Sequence, residues 1–297
     1  MKFKFVFLPM LLFVLNVCNT CVAEELRVMS YNILRGGTQH GPLSWTVDVI
    51  RKSRADIVGI QEADQNLVQL AKELGFWYHE GSSILSRYPI TQYIKDIGIK
   101  VQTPAKQSVY VFNTHLSAFP YGPYDLRDGK TVEEAMENEN KSGRTSQISN
   151  LLKQIQFFMS FKTPIIVTGD FNSPSHLDWT YRNRAAHSGF EVPWPTSSLM
   201  KDFGFLDSYR VFFPDETQKP GLTWTPGFPP PNVDPKEVHD RIDYIYYYPN
   251  TLHILNAEIA GESKTNADIV VTPWPSDHRA VIVTLQLIES LFHNSIE

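Results

Sequence analysis

Short apolar runs alternate with stretches of helical periodicity along the 297-residue chain, and this alternation predicts a layered α/β fold. A hydrophobic content of 42% is enough to bury a full-sized core at this length, which excludes disorder and a small disulfide scaffold. No linker rich in Gly, Ser or charge divides the chain, and no internal repeat runs through it. A single domain over residues 24–297 is expected.

The elements follow in order. Residues 26–33 read as a strand, with Leu26, Val28 and Ser30 on one face and Arg27, Met29 and Tyr31 on the other. Over 45–53, Trp45, Val49 and Ile50 recur at helical spacing. Residues 57–61 form a short apolar strand, and 65–74 a helix that Gly75 ends. Residues 82–86, 90–101 and 108–114 read as further strands. The longest helical stretch is 131–161, with Ile148, Leu151, Leu152, Ile155 and Phe158 as its apolar stripe. Strands at 165–168, 242–248, 252–260 and 279–287 complete the pattern. Residues 117–130 and 226–237, dense in Pro, Gly and aromatics, read as irregular loops, either plain connections or rims of a binding site.

The amino-terminal segment has its own logic. Lys2 and Lys4 precede an apolar stretch over 5–17, and the small Ala23 stands just before the acids Glu24 and Glu25. This is the pattern of a secretory signal peptide over residues 1–23. Its apolar run of about 13 residues is shorter than the roughly 20 needed to span a bilayer. The mature protein is therefore expected to be secreted or periplasmic, monomeric and without a transmembrane span. Cys18 and Cys21 both fall in the leader. The remainder has no thiol for catalysis or for a cysteine zinc site. The full chain carries a formal charge of −5; without Lys2 and Lys4, 25 basic residues face 32 acidic ones, or −7. So acidic a protein has no broad attraction for phosphate backbones, and any phosphate chemistry must be local and assisted by a cation.

Polar residues recur where the apolar strands stop. They are Asn32 in SYNIL, Glu62 in GIQEAD, His115 in FNTHL, Asp170 and Asn172 in TGDFNS, Asp243 in DRIDYIY, and Asp277 with His278 in SDHRA. Taken singly, each has a structural explanation, since Asn and Asp cap turns and Glu is usually solvated. As a set they would collect on one edge of a layered α/β fold, where ligands bind. Clustered carboxylates repel one another, and a bound hard cation removes that cost. Oxygen ligands without cysteine select Mg²⁺ or Mn²⁺, which polarises a phosphoryl oxygen.

SYNIL, IQEAD, ILSRYPI, NTHL, TGDFNS, RIDYIY and SDHRA, in that order, resemble the endonuclease/exonuclease/phosphatase superfamily over about residues 26–287. That group includes pancreatic-type deoxyribonucleases, abasic-site endonucleases, bacterial sphingomyelinases and inositol polyphosphate 5-phosphatases. The resemblance implies a four-layer sandwich, two mixed β-sheets face to face with helices outside. It also implies roles. Glu62 resembles the principal metal ligand, with Asn32 beside it and Asp277 as a second acidic contributor. Asp170 resembles the residue that activates or orients the attacking water, and Asn172 a phosphate contact. His278 resembles the histidine that stabilises the pentacovalent phosphate or serves as base. His115 resembles a second active-site histidine, with Asp243 as its orienting carboxylate. The implied activity is Mg²⁺-dependent hydrolysis of a phosphate ester by in-line water attack, with no covalent intermediate.

Departures from the resemblance bear on substrate. Asp64 stands where a basic residue would face DNA phosphate, which weakens the deoxyribonuclease reading. TGDFNS and PWPSDHRA lack the tryptophan and Cys-Asp-Arg run of inositol 5-phosphatases. A nucleic acid and a phospholipid head group remain as candidate substrates. Phe119, Tyr121, Tyr124 and Phe228 are placed to stack nucleobases or meet a lipid surface. Trp274 is expected at the pocket rim, and Asp178 as a helix cap.

Overall fold

The computed structural model describes residues 24–288, so the expected signal peptide lies outside the described residues. The pleat of the first strand, β1 (Glu25–Asn32), sets the architecture. Leu26 and Val28 point to one side and Met29 and Tyr31 to the other, and all four are fully buried. A strand buried on both faces needs a layer on each side. The inner side is a second sheet. Leu26 and Val28 pack with Ile99, Val109, Val111, Ile166 and Ile245 in the core between the sheets. On the outer side, Met29 and Tyr31 pack with Val47, Ile50, Leu67 and Leu70 of two helices, α1 (Leu43–Ser53) and α2 (Leu67–Leu74).

The first sheet has seven strands. β1 pairs in parallel with β2 (Ile57–Gln61), which leads through β4 (Ile84–Ser86) to β3 (Trp77–His79) at one edge. On its other side β1 pairs antiparallel with β13 (Ala280–Leu287), followed by β11 (Leu252–Gly261) and the edge strand β12 (Ile269–Val270). The second sheet has six strands in the order β5, β6, β7, β8, β10, β9. These are β5 (Ile90–Ile94), β6 (Gly98–Gln102), β7 (Ser108–His115), β8 (Ile165–Asp170), β9 (Leu206–Asp207) and β10 (Asp243–Tyr247). β7 and β8 are parallel and β10 is antiparallel to β8. Outside the second sheet, the stripe Ile148, Leu151, Leu152 and Ile155 of α5 (Arg144–Met159) covers Phe112, Val167 and Tyr244. The four-layer sandwich is thus realised.

Several boundaries differ from the sequence reading, each for a local reason. The single helix expected over 131–161 is two, α4 (Val132–Ser142) and α5, because Gly143 takes φ 81° between them. The break allows Arg144 to turn inward and donate from Nε to Glu139 Oε1 at 2.9 Å. The strand expected over 90–101 is the hairpin of β5 and β6, turning at Lys95 with φ 43°. The loop over 117–130 contains a short helix, α3 (Gly122–Arg127), and two further helices, α6 (Pro195–Asp202) and α7 (Ser208–Phe212), escaped the sequence reading. Their apolar stripes are too short for periodicity to reveal.

Candidate active site

Strand direction explains how the polar residues meet. The carboxyl ends of β1, β2, β7 and β8 deliver Asn32, Glu62, His115 and Asp170 to one edge of the sandwich. β10 and β13 run antiparallel to their neighbours, so their amino ends arrive at the same edge. Asp243, the first residue of β10, lies in register with Asp170, the last of β8. Asp277 and His278 lie in the loop two to three residues before β13. The turns after the strands are tight, with Glu62 at φ 57° and Asn172 at φ 47°. Non-glycine residues in this region are uncommon, and strain of this kind collects at functional sites.

Asp170 is the hub. Its Oδ2 accepts from Asn32 Nδ2 at 2.9 Å, and its Oδ1 accepts from the Asn172 backbone N–H at 2.8 Å. His115 Nε2 and His278 Nε2 stand 3.5 Å and 3.7 Å from the same Oδ2. Asn32 Nδ2 also donates to Glu62 Oε1 at 3.1 Å, and the Arg35 backbone N–H donates to Glu62 Oε2 at 3.0 Å. A cavity of about 130 Å³ opens over this edge. Glu62, Asp170, Asn172, Asp277 and His278 line it together with Phe119, Tyr121, Tyr124 and Trp224. Asn32 and Asp243 lie buried beneath it, and His115 lines the neighbouring cleft.

Asp243 is the partner of His278 and not of His115. Its Oδ2 lies 2.9 Å from His278 Nδ1, while His115 finds its carboxylate in Asp170. The antiparallel register of β8 and β10 decides this by seating Asp243 under the loop that carries His278. Burial by itself lowers the pKa of His278, but Asp243 and Asp170 together push it up to about 10. Burial acts against ionised Asp170 as well, yet His278 and His115 hold it below the usual carboxylate range. Asp277 is raised, first by burial and then by repulsion from Glu62, the attraction of His278 notwithstanding. Among the described residues its Oδ1 is buried without a hydrogen-bond partner, as is Oδ1 of Asp243.

Residues to which the sequence reading gave no role hold this edge in place. Ser276 Oγ donates to the Asn32 carbonyl at 2.7 Å and accepts from the His278 N–H at 3.1 Å, tying the last loop to β1. Thr223 Oγ1 accepts from the Asp243 N–H at 3.1 Å. Beneath the site Asn113 joins the sheets: its Oδ1 accepts from Gln61 Nε2 at 2.7 Å and Thr168 Oγ1 at 2.9 Å. The inward direction of Asn113 in the 108–114 alternation was the available signal.

Two placements need correction. Trp274 is not at the rim; it is buried against Tyr31 and donates from Nε1 to the His278 carbonyl at 2.8 Å. Trp224 occupies the rim in its stead. Asp178 caps no helix, because it is bound between Arg210, 2.5 Å from its Oδ1, and Arg241, 2.8 Å from its Oδ2. Of the four loop aromatics, Tyr121 and Tyr124 are tied down by Asp240 Oδ2 at 2.6 Å and Glu237 Oε1 at 2.7 Å. Only Phe119 and Phe228 stand exposed, at 71% and 53%.

Two face-to-face mixed sheets with acids, amides and histidines gathered at one edge define the phosphoesterase class of α/β sandwich. The model of the Endonuclease/Exonuclease/phosphatase family matches residues 29–278, and the chain belongs to that family, whose members are hydrolases acting on phosphoester bonds. An uncharacterized Caenorhabditis elegans protein, F14F9.5, is 29% identical over 250 residues, covering 76% of this chain and 79% of that protein. The fold is similar to that of an AP endonuclease from Archaeoglobus fulgidus, with 16% identity, a TM-score of 0.55, and 87% and 98% of the two chains covered. It is also similar to TDP2 from C. elegans, with 16% identity, a TM-score of 0.53, and 88% and 75% covered.

Proposed function

We propose that this protein is a secreted, divalent-metal-dependent phosphodiesterase that hydrolyses its substrate by direct in-line attack of water. The observation that carries the reading is the convergence of an oriented Asp243–His278 pair on Asp170 at the mouth of a cavity whose opposite acids are Glu62 and Asp277. Asp277 Oδ1 is buried with no hydrogen-bond donor among the described residues, and the two acids repel, so the pair suits a hard cation. Glu62 and Asp277, with Asn32 beside them, would hold Mg²⁺ or Mn²⁺. Such an ion supplies polarisation of the phosphoryl oxygens and neutralises charge that develops on them. Asp170, Asp243 and His278 also bring one ligand atom each within 4.8 Å, but His278 Nδ1 is committed to Asp243 at 2.9 Å, and we read this group as a proton-transfer triad.

In this reading Asp170 orients the attacking water and accepts its proton. Asn32 and the Asn172 N–H fix both of its oxygens for that role. The Asp243 bond points His278 Nε2 into the cavity, where it donates to the phosphoryl oxygens as charge builds. His115 supports Asp170 from the other side. The test is turnover of bis(p-nitrophenyl) phosphate, DNA, RNA and sphingomyelin vesicles with Mg²⁺, Mn²⁺ or EDTA. The expected result is metal-dependent hydrolysis that Glu62→Ala reduces by about a hundredfold or more. Hydrolysis unaffected by EDTA, or no hydrolysis of any of these esters, overturns it.

One observation favours a phospholipid over a nucleic acid. Phe119 lines the cavity and is largely exposed, and an aromatic ring in such a place suits a lipid surface. Release of choline phosphate from sphingomyelin vesicles, reduced by Phe119→Ala, is the result that reading predicts.

A further inference from the structure

We propose that a groove leading away from the phosphate centre binds a neutral sugar chain borne by the substrate. As a statement about substrate it rests on the phosphodiesterase reading, but binding to the groove is measurable without catalysis. The active-site cavity shares Glu62 with a neighbouring cleft of about 550 Å³, and that cleft shares Gly81 with a third hollow of about 690 Å³. The three hollows therefore lie next to one another in series. At the second junction the missing side chain matters: a Cβ on Gly81 would lie 2.6 Å from Asp96 Oδ1 and 3.3 Å from His79 Cε1.

The chemistry along the series changes in a definite order. Beyond Glu62, α5 presents the exposed amides of Asn150 and Gln154, and Asp96 faces them from the hairpin of β5 and β6. Beyond Gly81 the lining turns aromatic. Trp77 on β3 and Tyr93 on β5 are 52% and 57% exposed, and β3 and β5 are edge strands of opposite sheets, so no neighbouring strand covers them. Among the described residues neither outer hollow is lined by a lysine or arginine, whereas Glu80 and Asp96 are both present.

That combination selects its ligand. Without lysine or arginine a polyanionic backbone gains little counterion release, and the carboxylates repel it. A bare hydrocarbon chain would leave the amides and carboxylates unsatisfied. A pyranose chain satisfies both halves: its C–H faces stack on Trp and Tyr rings, and its hydroxyls bond to amides and carboxylates as donors and acceptors.

The experiment is calorimetric titration of the full chain, without added metal, with maltohexaose, cellohexaose, mannohexaose, chitohexaose and an oligothymidylate. We expect at least one neutral hexaose to bind with a Kd of about 1 mM or below. Trp77→Ala and Tyr93→Ala should each weaken it by about tenfold at an unchanged melting temperature. If either variant fails to fold, Asn150→Ala on the exposed face of α5 is read in its place, with weakened binding expected again. No binding by any hexaose, or binding that survives every substitution, overturns the proposal. Oligothymidylate binding that depends on Trp77 overturns it in favour of single-stranded nucleic acid. Hexaose binding without any ester hydrolysis keeps the groove and discards the phosphodiesterase reading.

Discussion

His278 and Asp243 are bound to each other at 2.9 Å between Nδ1 and Oδ2, although 35 residues separate them; Asp243 opens β10 of the second sheet and His278 lies in the loop that leads into β13 of the first. This bond leaves one histidine nitrogen for the substrate and fixes where it points. Asp243→Asn keeps the shape but reverses the preference, since an amide can donate to Nδ1 and favour the wrong tautomer. In the proposed mechanism kcat falls by about 10² to 10⁴-fold with KM little changed. A steady-state pH profile separates this from misfolding, because the surviving activity should lose the limb that belongs to His278.

Arg144 is the structural counterpart of that pair. It is fully buried, bonded to Glu139, and donates to the carbonyls of Ser117, Ala118 and Pro120 at 2.8, 3.1 and 2.7 Å. It thereby shapes the loop that carries Phe119. Arg144→Ala leaves Glu139 buried and unpaired, which is expected to destabilise the protein by about 3–5 kcal/mol. Urea denaturation of both proteins measures the difference. A loss below about 1 kcal/mol would mean that the pair is open to solvent.

Asp240 sets a pH dependence of stability. It is buried, and burial raises its pKa from 3.8 to about 7 despite hydrogen bonds from Tyr121 and Trp179. The folded state therefore holds a proton that the unfolded chain has released, and stability falls as pH rises from about 4 to 7. Asp240→Asn keeps an acceptor for Trp179 Nε1, now at 2.7 Å, and offers a donor to the Tyr121 hydroxyl. The variant should flatten this part of the curve by an amount on the order of a few kcal/mol, read from melting temperatures across the range.

Gly59 tests the joint between the sheets. A Cβ there would sit 2.0 Å from Thr168 Oγ1 and 2.7 Å from Asn113 Oδ1. Gly59→Ala must displace the Asn113 network, with an expected loss of about 1–3 kcal/mol. Thr168→Ala in the same background should recover part of it, a coupling that a double-mutant cycle measures directly.

Much of the fold was legible in the chain. The alternation of Leu26 and Val28 with Met29 and Tyr31 correctly separates the inter-sheet core from the helix-facing core. The stripe on α5 was equally clear. What failed were breaks inside periodic stretches, at Gly143 and Lys95, where a single positive-φ residue turns the chain without disturbing the apolar pattern around it. Short elements such as α3, α6 and α7 were missed because tertiary packing, more than periodicity, holds them.

The sequence by itself determined the layered α/β class, the family, and the polar residues that end the strands, because each is encoded locally as period, motif or position. Only the tertiary structure decided which of those residues touch. The assignment of Asp243 to His278, the burial of Trp274 behind it and the binding of Asp178 between two arginines follow from strand register and direction. The physical reason is that pairing of side chains distant in sequence is set by long-range hydrogen bonding and packing, to which no local pattern is sensitive.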